Sequence, residues 1–308
     1  MPPTFPIVRP VVQLYRAAAT LRMRPRSRGN YVQECNHVYA EAHGMGLVMD
    51  VFAPQSGGNG LGLVDVVSGG WFADRVTLNE HIGLGVYDVF CERGYTVFAV
   101  SPGSITKFTG FQMVRHIHEA IRYIKLHAAD WNVAPDRLGI TGASAGGHLA
   151  ALTALEPRRP RPSSRDPYRR SGSDVAAAAL FFPPTDLLDY GGELFTFVEM
   201  EGVPLSRLLF AEHTTEKTNE ETREALDALS PARRVSPPPP CPFLLVHGDR
   251  DTVVPLQQSE ALAAALRAAG GQAELRVKAG GGHPWPDIQT EISHAATWFD
   301  TVLGKQTT

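Results

Sequence analysis

The sequence predicts an α/β protein, with a mostly parallel central sheet, helices on both of its faces and a helical cap inserted late in the chain. Two observations carry this. Short apolar runs such as Leu63–Val67, Tyr95–Val100 and Phe243–His247 have the length of strands buried on both faces. Between them lie segments of helical period: over Phe111–Ala129, Val114, Ile117, Ile121, Ile124 and Ala128 form an apolar stripe opposite Arg115, His118, Arg122 and Lys125. Strands alternating with helices imply parallel pairing, because each crossover returns the chain to the same end of the sheet.

In chain order, residues 11–23 place Val11, Leu14, Tyr15, Ala18 and Leu21 or Arg22 on a helical period, an amphipathic helix for packing, for a flap or for a homodimer contact. A basic tract, Arg22–Arg28, follows. Residues 1–30 are therefore read as a helix and linker, and 31–308 as a single domain. Tyr31–Glu41 and Leu47–Phe52 form an antiparallel pair turning at His43-Gly44. Then come strand Leu63–Val67, helix Ile82–Arg93 ended by Gly94, strand Tyr95–Val100 and helix Phe111–Ala129. Strand Leu138–Thr141, helix Ala145–Leu155 and strand Ala176–Phe182 continue the alternation. Strand Phe243–His247, helix Leu256–Ala269, strand Ala273–Lys278 and helix Ile288–Leu303 complete it.

Two stretches break the rhythm. Pro157–Asp174 holds six arginines against two aspartates, and its prolines exclude a regular element, so it is an exposed loop. Thr185–Ser230 carries eleven acidic residues against three basic, with a helical pattern over Glu220–Leu229, and is read as the cap, about 185–230.

A formal net charge of −3 supplies no basic field for a phosphate backbone, which argues against nucleic acid as a partner. Cys35, Cys91 and Cys241 have no paired spacing, so neither a disulfide framework nor a structural zinc site is expected. His116, His118 and His127 share one helix without a metal-binding spacing, and neither metal nor cofactor is assigned. No signal-peptide pattern and no membrane-length apolar run are present; the expected location is cytoplasmic, with secretion after signal removal left open.

Chemistry is concentrated in three places. Gly142-Ala143-Ser144-Ala145-Gly146 is a Gly-x-Ser-x-Gly string between a predicted strand and a predicted helix. Small residues there permit a sharp turn that lifts the Ser144 hydroxyl above the sheet, and the helix start aims N–H groups at a developing anion. A serine hydroxyl needs a base and an acid to become a nucleophile. The strand Phe243–His247 runs into Gly248-Asp249-Arg250-Asp251-Thr252-Val253-Val254-Pro255, with two candidate acids. The strand ending at Lys278 runs into Ala279-Gly280-Gly281-Gly282-His283-Pro284-Trp285. His148, four residues past Ser144, is read as a packing or hydrogen-bonding group beneath the turn, and His247 as structural.

These strings resemble the α/β-hydrolase superfamily, in its esterase/lipase branch of carboxylesterase and feruloyl-esterase-like enzymes, which adjoins the prolyl oligopeptidase-like peptidases. Ala134-Pro135-Asp136-Arg137-Leu138-Gly139 and Gly147-His148-Leu149-Ala150 extend the likeness, which covers roughly residues 45–303. The resemblance implies a triad of Ser144, His283 and Asp251, with Asp249 capping a turn. It also implies an oxyanion hole from Ala145 and the loop Gly69, Gly70 and Trp71. Relatives carry His-Gly-Gly-Gly-Trp at that loop, whereas here Val67 and Ser68 precede Gly69-Gly70-Trp71. Val67 is then expected to be an apolar support and Ser68 to make a different local hydrogen bond. Trp71 and Trp285 flank catalytic elements and are pocket candidates.

The expected activity is a serine carboxylesterase acting on a small-molecule short-chain or aromatic acyl ester, with the cap setting chain length. The alternative is a prolyl oligopeptidase-like aminopeptidase, which needs an acidic anchor for the substrate amine, such as Glu199 or Glu201.

Overall fold

The computed structural model describes residues 26–195, 199–200, 203–210 and 219–304. The helix expected over 11–23 lies outside them.

Residues 26–28, expected as linker, instead form an edge strand β1 (Arg26–Arg28), because the chain turns at Gly29-Asn30 and pairs back on β2 (Tyr31–Ala42). The hairpin partner β3 (Met45–Pro54) turns at His43-Gly44 as expected. The alternating units follow: β4 (Gly62–Val66), α1 (Arg75–Gly83), α2 (Val86–Glu92), β5 (Thr96–Val100), α3 (Gly110–Leu126), β6 (Leu138–Ala143), α4 (Ala145–Leu155) and β7 (Ala177–Phe181). After β7 come the two-residue strands β8 (Glu199–Met200) and β9 (Val203–Pro204), then α5 (Asn219–Ala228). The chain closes with β10 (Phe243–Gly248), α6 (Gln257–Ala268), β11 (Ala273–Lys278) and α7 (Gln289–Gly304).

Nine strands make one sheet in the order β1-β2-β3-β5-β4-β6-β7-β10-β11. Pairing is antiparallel from β1 to β5 and parallel from β5 to β11. Alternate side chains of the buried strands feed two apolar layers. Val64, Val66, Phe98, Val100 and Leu245 face the layer that also holds Ile117, Leu149 and Leu262. Leu63, Val97, Leu244 and Val246 face the layer holding Phe90, Ile292 and Phe299.

The largest departure from expectation is the predicted helix Ile82–Arg93, which is two helices. Gly85 takes a left-handed φ of 76° and breaks the run after Leu84. The first helix starts earlier, where Asp74 caps it by accepting from the Thr77 N–H at 2.9 Å. The basic loop also contains an element: a 3₁₀ turn, Pro167–Arg170, begins after Asp166 accepts from the Tyr168 N–H at 3.0 Å, with proline at the one helical position that needs no donor.

The described part of the cap holds α5, the β8–β9 pair and a 3₁₀ turn, Leu205–Leu208, so it is less helical than expected. Its Leu208, Leu209, Leu226 and Leu229 join the apolar layer of α3 and α4, and Arg207 donates to the Ile105 and Thr106 carbonyls. Among the described residues no helix is long and apolar enough to cross a membrane.

Candidate active site

Ser144 stands between β6 and α4 with φ 52° and ψ −122°, a conformation that L-residues avoid and that the surrounding packing enforces. The glycines explain how. A Cβ on Gly142 would lie 2.5 Å from the Gly146 carbonyl carbon, and a Cβ on Gly146 would collide with the Val66 carbonyl oxygen. Strand end and helix start thus meet at backbone contact distance. The Ser144 N–H donates to Phe181 O at 2.9 Å and the Gly146 N–H to Ser68 O at 2.9 Å, binding the turn to both neighbouring strand ends.

The loops after β10 and β11 bring the other two candidates to this turn. His283 Nδ1 lies 2.7 Å from Asp251 Oδ2, and His283 Nε2 lies 3.0 Å from Ser144 Oγ. A carboxylate only accepts, so Nδ1 donates and Nε2 is left to accept from the serine hydroxyl. The Asp251 side chain is fully buried. Burial alone would raise its pKa, but hydrogen bonds from His247 and His283, with the Val254 and Val253 N–H groups, outweigh this and hold the carboxyl below the usual carboxylate range. Asp249 instead accepts from the Gly280 N–H at 2.6 Å and ties the two loops together.

His247 supports the acid. Its Nε2 donates to Val254 O at 2.9 Å and lies 3.5 Å from Asp251 Oδ2, while Nδ1 accepts from Ser259 Oγ at 2.7 Å.

The glycine loop after β4 forms a two-residue turn. Gly69 and Phe72 exchange N–H···O bonds at 2.9 and 2.8 Å, and Gly70 and Trp71 both take positive φ, 54° and 64°. Gly69 therefore has its N–H committed to Phe72, which removes it as an oxyanion donor. The N–H groups of Gly70, Trp71 and Ala145 have no acceptor among the described residues. Val67 is buried in the apolar layer as expected, but Ser68 makes its local bond through its carbonyl; its Oγ is buried without a partner among the described residues.

A cavity of about 230 Å³ opens beside Ser144. Neither tryptophan candidate lines it. The Trp71 indole is 3% exposed and donates Nε1–H to His148 Nδ1 at 3.1 Å; Trp285 is 4% exposed and donates to Glu291 at 3.2 Å from behind Phe182. Nor does any described cap residue line it. The walls come from α1 (Thr77, Glu80, His81), α2 (Val86, Phe90) and α7 with its preceding loop (Pro284, Ile288, Ile292). For the peptidase alternative, Glu201 lies outside the described residues and Glu199 begins β8.

Sequence reasoning passed over a polar group in this wall. Asp65, inside β4, is 1% exposed and its Oδ2 accepts from His81 Nδ1 at 2.7 Å and from the Tyr87 hydroxyl at 2.9 Å. A carboxylate in the middle of a buried strand was the signal, because such a charge demands partners.

His148 is fully buried between Trp71 and the cap. Its Nε2 donates to Leu229 O at 2.7 Å while Nδ1 accepts from Trp71, so only the neutral ring satisfies both. Burial outweighs the Leu229 bond and pushes its pKa down to about 4, and burial likewise pushes His118 to about 3. Both groups bind protons more readily unfolded, near 6.5, than folded. Their contribution to stability is therefore whole above about pH 6.5 and is lost as pH falls from there through the folded values. Thermal melts should show Tm dropping between pH 7 and pH 5, with a shallower slope for His148→Gln.

Among the described residues no cluster of three or more His, Cys, Asp or Glu side chains could hold a metal ion.

Comparison with known proteins decides the family. The BD-FAE family model matches residues 49–266, well over half of the chain. The chain belongs to the BD-FAE family. This BD-FAE chain is 31% identical over 180 residues to "Esterase LipQ" of Mycobacterium tuberculosis, an alignment covering 58% of this chain and 40% of that one. It is 25% identical over 243 residues to "Isoprenylcysteine alpha-carbonyl methylesterase ICME" of Arabidopsis thaliana, covering 76% and 53%. The chain thus spans about two fifths of LipQ and about half of the plant protein. Among solved structures, a truncated carbohydrate esterase from gut microbiota superposes with a TM-score of 0.74 at 22% identity, over 92% of this chain and all of that one. The butyrate-bound esterase of Thermogutta terrifontis gives 0.66 at 22%, over 87% and 94%. The fold is that of α/β-hydrolases, as the sequence strings imply.

Proposed function

We propose that this chain is a serine carboxylesterase acting on esters with a short-chain or single-ring group, and that its hydrolase domain extends the expected 31–308 back to the edge strand at Arg26. The observation that carries this reading is His283 bridging Ser144 and Asp251 at hydrogen-bonding distance beside a mostly apolar cavity. Kinship with proteins named as esterases supports it.

In this mechanism Ser144 Oγ attacks the ester carbonyl carbon while His283 Nε2 takes its proton. Asp251 holds Nδ1–H, fixes the tautomer and stabilises the imidazolium. The carbonyl oxygen becomes an anion that accepts from the N–H of Ala145 and from Gly70 or Trp71. Collapse breaks the bond to the alcohol oxygen, which leaves with the proton from His283. Water, deprotonated by the same histidine, then attacks the acyl-enzyme, and the acid departs as Ser144 regains its hydrogen.

The cavity, at about 230 Å³, exceeds the ~150 Å³ that accommodates benzene. Its wall is mostly apolar, with Phe90, Phe182, Ile288 and Ile292. It therefore suits a short acyl chain or one ring. The test is kcat/KM for p-nitrophenyl esters of increasing chain length against aminoacyl p-nitroanilides. Esters up to roughly six carbons should lead, with a fall beyond; anilides cleaved faster than any ester would replace this reading with the peptidase.

A further inference from the structure

The cavity beside Ser144 has a polar wall that ester cleavage by itself does not use. His81, on α1, is held by Asp65, which accepts from Nδ1 and from the Tyr87 hydroxyl. Because the carboxylate can only accept, Nδ1 carries a hydrogen, and the orientation of the ring is set by a buried anchor. Its Nε2 has no protein partner among the described residues and is not sealed from the cavity, unlike the buried orphan nitrogens of His116 and His118. Ser68 lines the same cavity, but its Oγ, which has no partner among the described residues, is sealed like those two nitrogens. An unpartnered ring nitrogen open to an otherwise apolar pocket is a directional group that a ligand oxygen would satisfy.

The charge balance selects the ligand. Burial works against a positive His81, but attraction to Asp65 and the hydrogen bond with it, aided by Glu80, outweigh burial and raise the imidazole pKa. Asp65 stands behind the ring and Glu80 adds a second acidic residue to the lining, so nothing favours an anionic group. A neutral hydroxyl fits, since it can accept from Nε2–H of a protonated His81 and donate to Nε2 of a neutral one.

We propose that His81 Nε2 recognises a neutral hydroxyl on whichever portion of the ester enters this cavity, making hydroxylated esters the preferred substrate class. This rests on the esterase reading for its turnover assay, but not for its binding assay. The assay uses two matched pairs: p-nitrophenyl butyrate against p-nitrophenyl 3-hydroxybutyrate, for the acyl side, and ethyl against 2-hydroxyethyl butyrate, for the alcohol side. The unaltered chain should favour the hydroxylated member of one pair by about fivefold or more in kcat/KM, the size of one typical hydrogen bond. His81→Phe should abolish that preference, and His81→Gln should keep most of it through its amide. Because His81→Phe strands a buried carboxylate, the double variant Asp65→Asn/His81→Phe carries the same test in a fold without that charge. Equilibrium binding of the same pairs to Ser144→Ala, with and without His81→Phe, reads the preference without turnover. Cleavage without discrimination in either pair, or a preference that survives His81→Phe and the double variant, overturns the inference and leaves the esterase standing. Discriminating binding with no ester cleaved by the unaltered chain does the reverse.

Discussion

Ser144→Ala should lower kcat for p-nitrophenyl ester hydrolysis by about 10⁶-fold, the loss seen when a serine nucleophile acting as part of a triad is removed. The variant should also fold normally. Ser144 precedes α4 without a side-chain cap, its hydroxyl meets only His283 among the described residues, and alanine faces the same positive φ that serine already tolerates. Tm should therefore stay within a few degrees of the parent, since a loss of well under 1 kcal/mol moves it by no more. Intact-mass labelling with a serine-reactive phosphonate gives an independent reading: one adduct on the parent, none on the variant. A variant that keeps more than a thousandth of the parent kcat would place the nucleophile elsewhere.

Asp251→Asn should cost about 10⁴-fold in kcat, by a different route. Asparagine Oδ1 can still accept from the Val253 and Val254 N–H groups, so the loop keeps its turn. Its amide, however, presents a donor to His283 Nδ1. That favours the tautomer with the hydrogen on Nε2, and the ring can no longer accept from Ser144. The carboxylate also carries a pH signature. Its folded pKa is depressed, so its contribution to stability is present above the ordinary carboxylate range and is lost as pH falls through the lower folded value. The variant should lack that acid-side loss. Asp249→Asn is the control: Asp249 touches the Gly280 N–H and not His283, so kcat should change by less than about tenfold. Equal losses at the two positions would overturn the choice of acid.

Much of this architecture is written locally. Buried strands announce themselves by short apolar runs, and the Ser144 turn by small residues whose absent side chains the Val66 and Gly146 contacts require. The candidate acid and base were legible because both lie in loops at the ends of recognisable strands. What was missed had no local signature. The helix Arg75–Gly83 is short and lacks a clear apolar stripe, and only its Asp74 cap marks it. Yet this helix carries Thr77, Glu80 and His81 into the cavity. The tryptophans were misjudged because adjacency to a catalytic residue in sequence does not say which way an indole turns. Trp71 turns to His148 and Phe195, away from the cavity. The cap followed the same logic: its leucines join the layer of α3 and α4, while the cavity lies against α1, α2 and α7.

By itself the sequence determined the α/β class and the main alternation of strands and helices, while its likeness to known hydrolases implied which three residues would meet. The class and the alternation follow from period and turn chemistry, which act within a few residues. Only the tertiary structure decided which N–H groups are left unpaired, which side of Ser144 holds the cavity, and that Asp65 finds His81. Those are outcomes of three-dimensional pairing. A hydrogen bond already made within the turn removes Gly69, and a buried charge must be answered by whatever the helix above the strand brings to it.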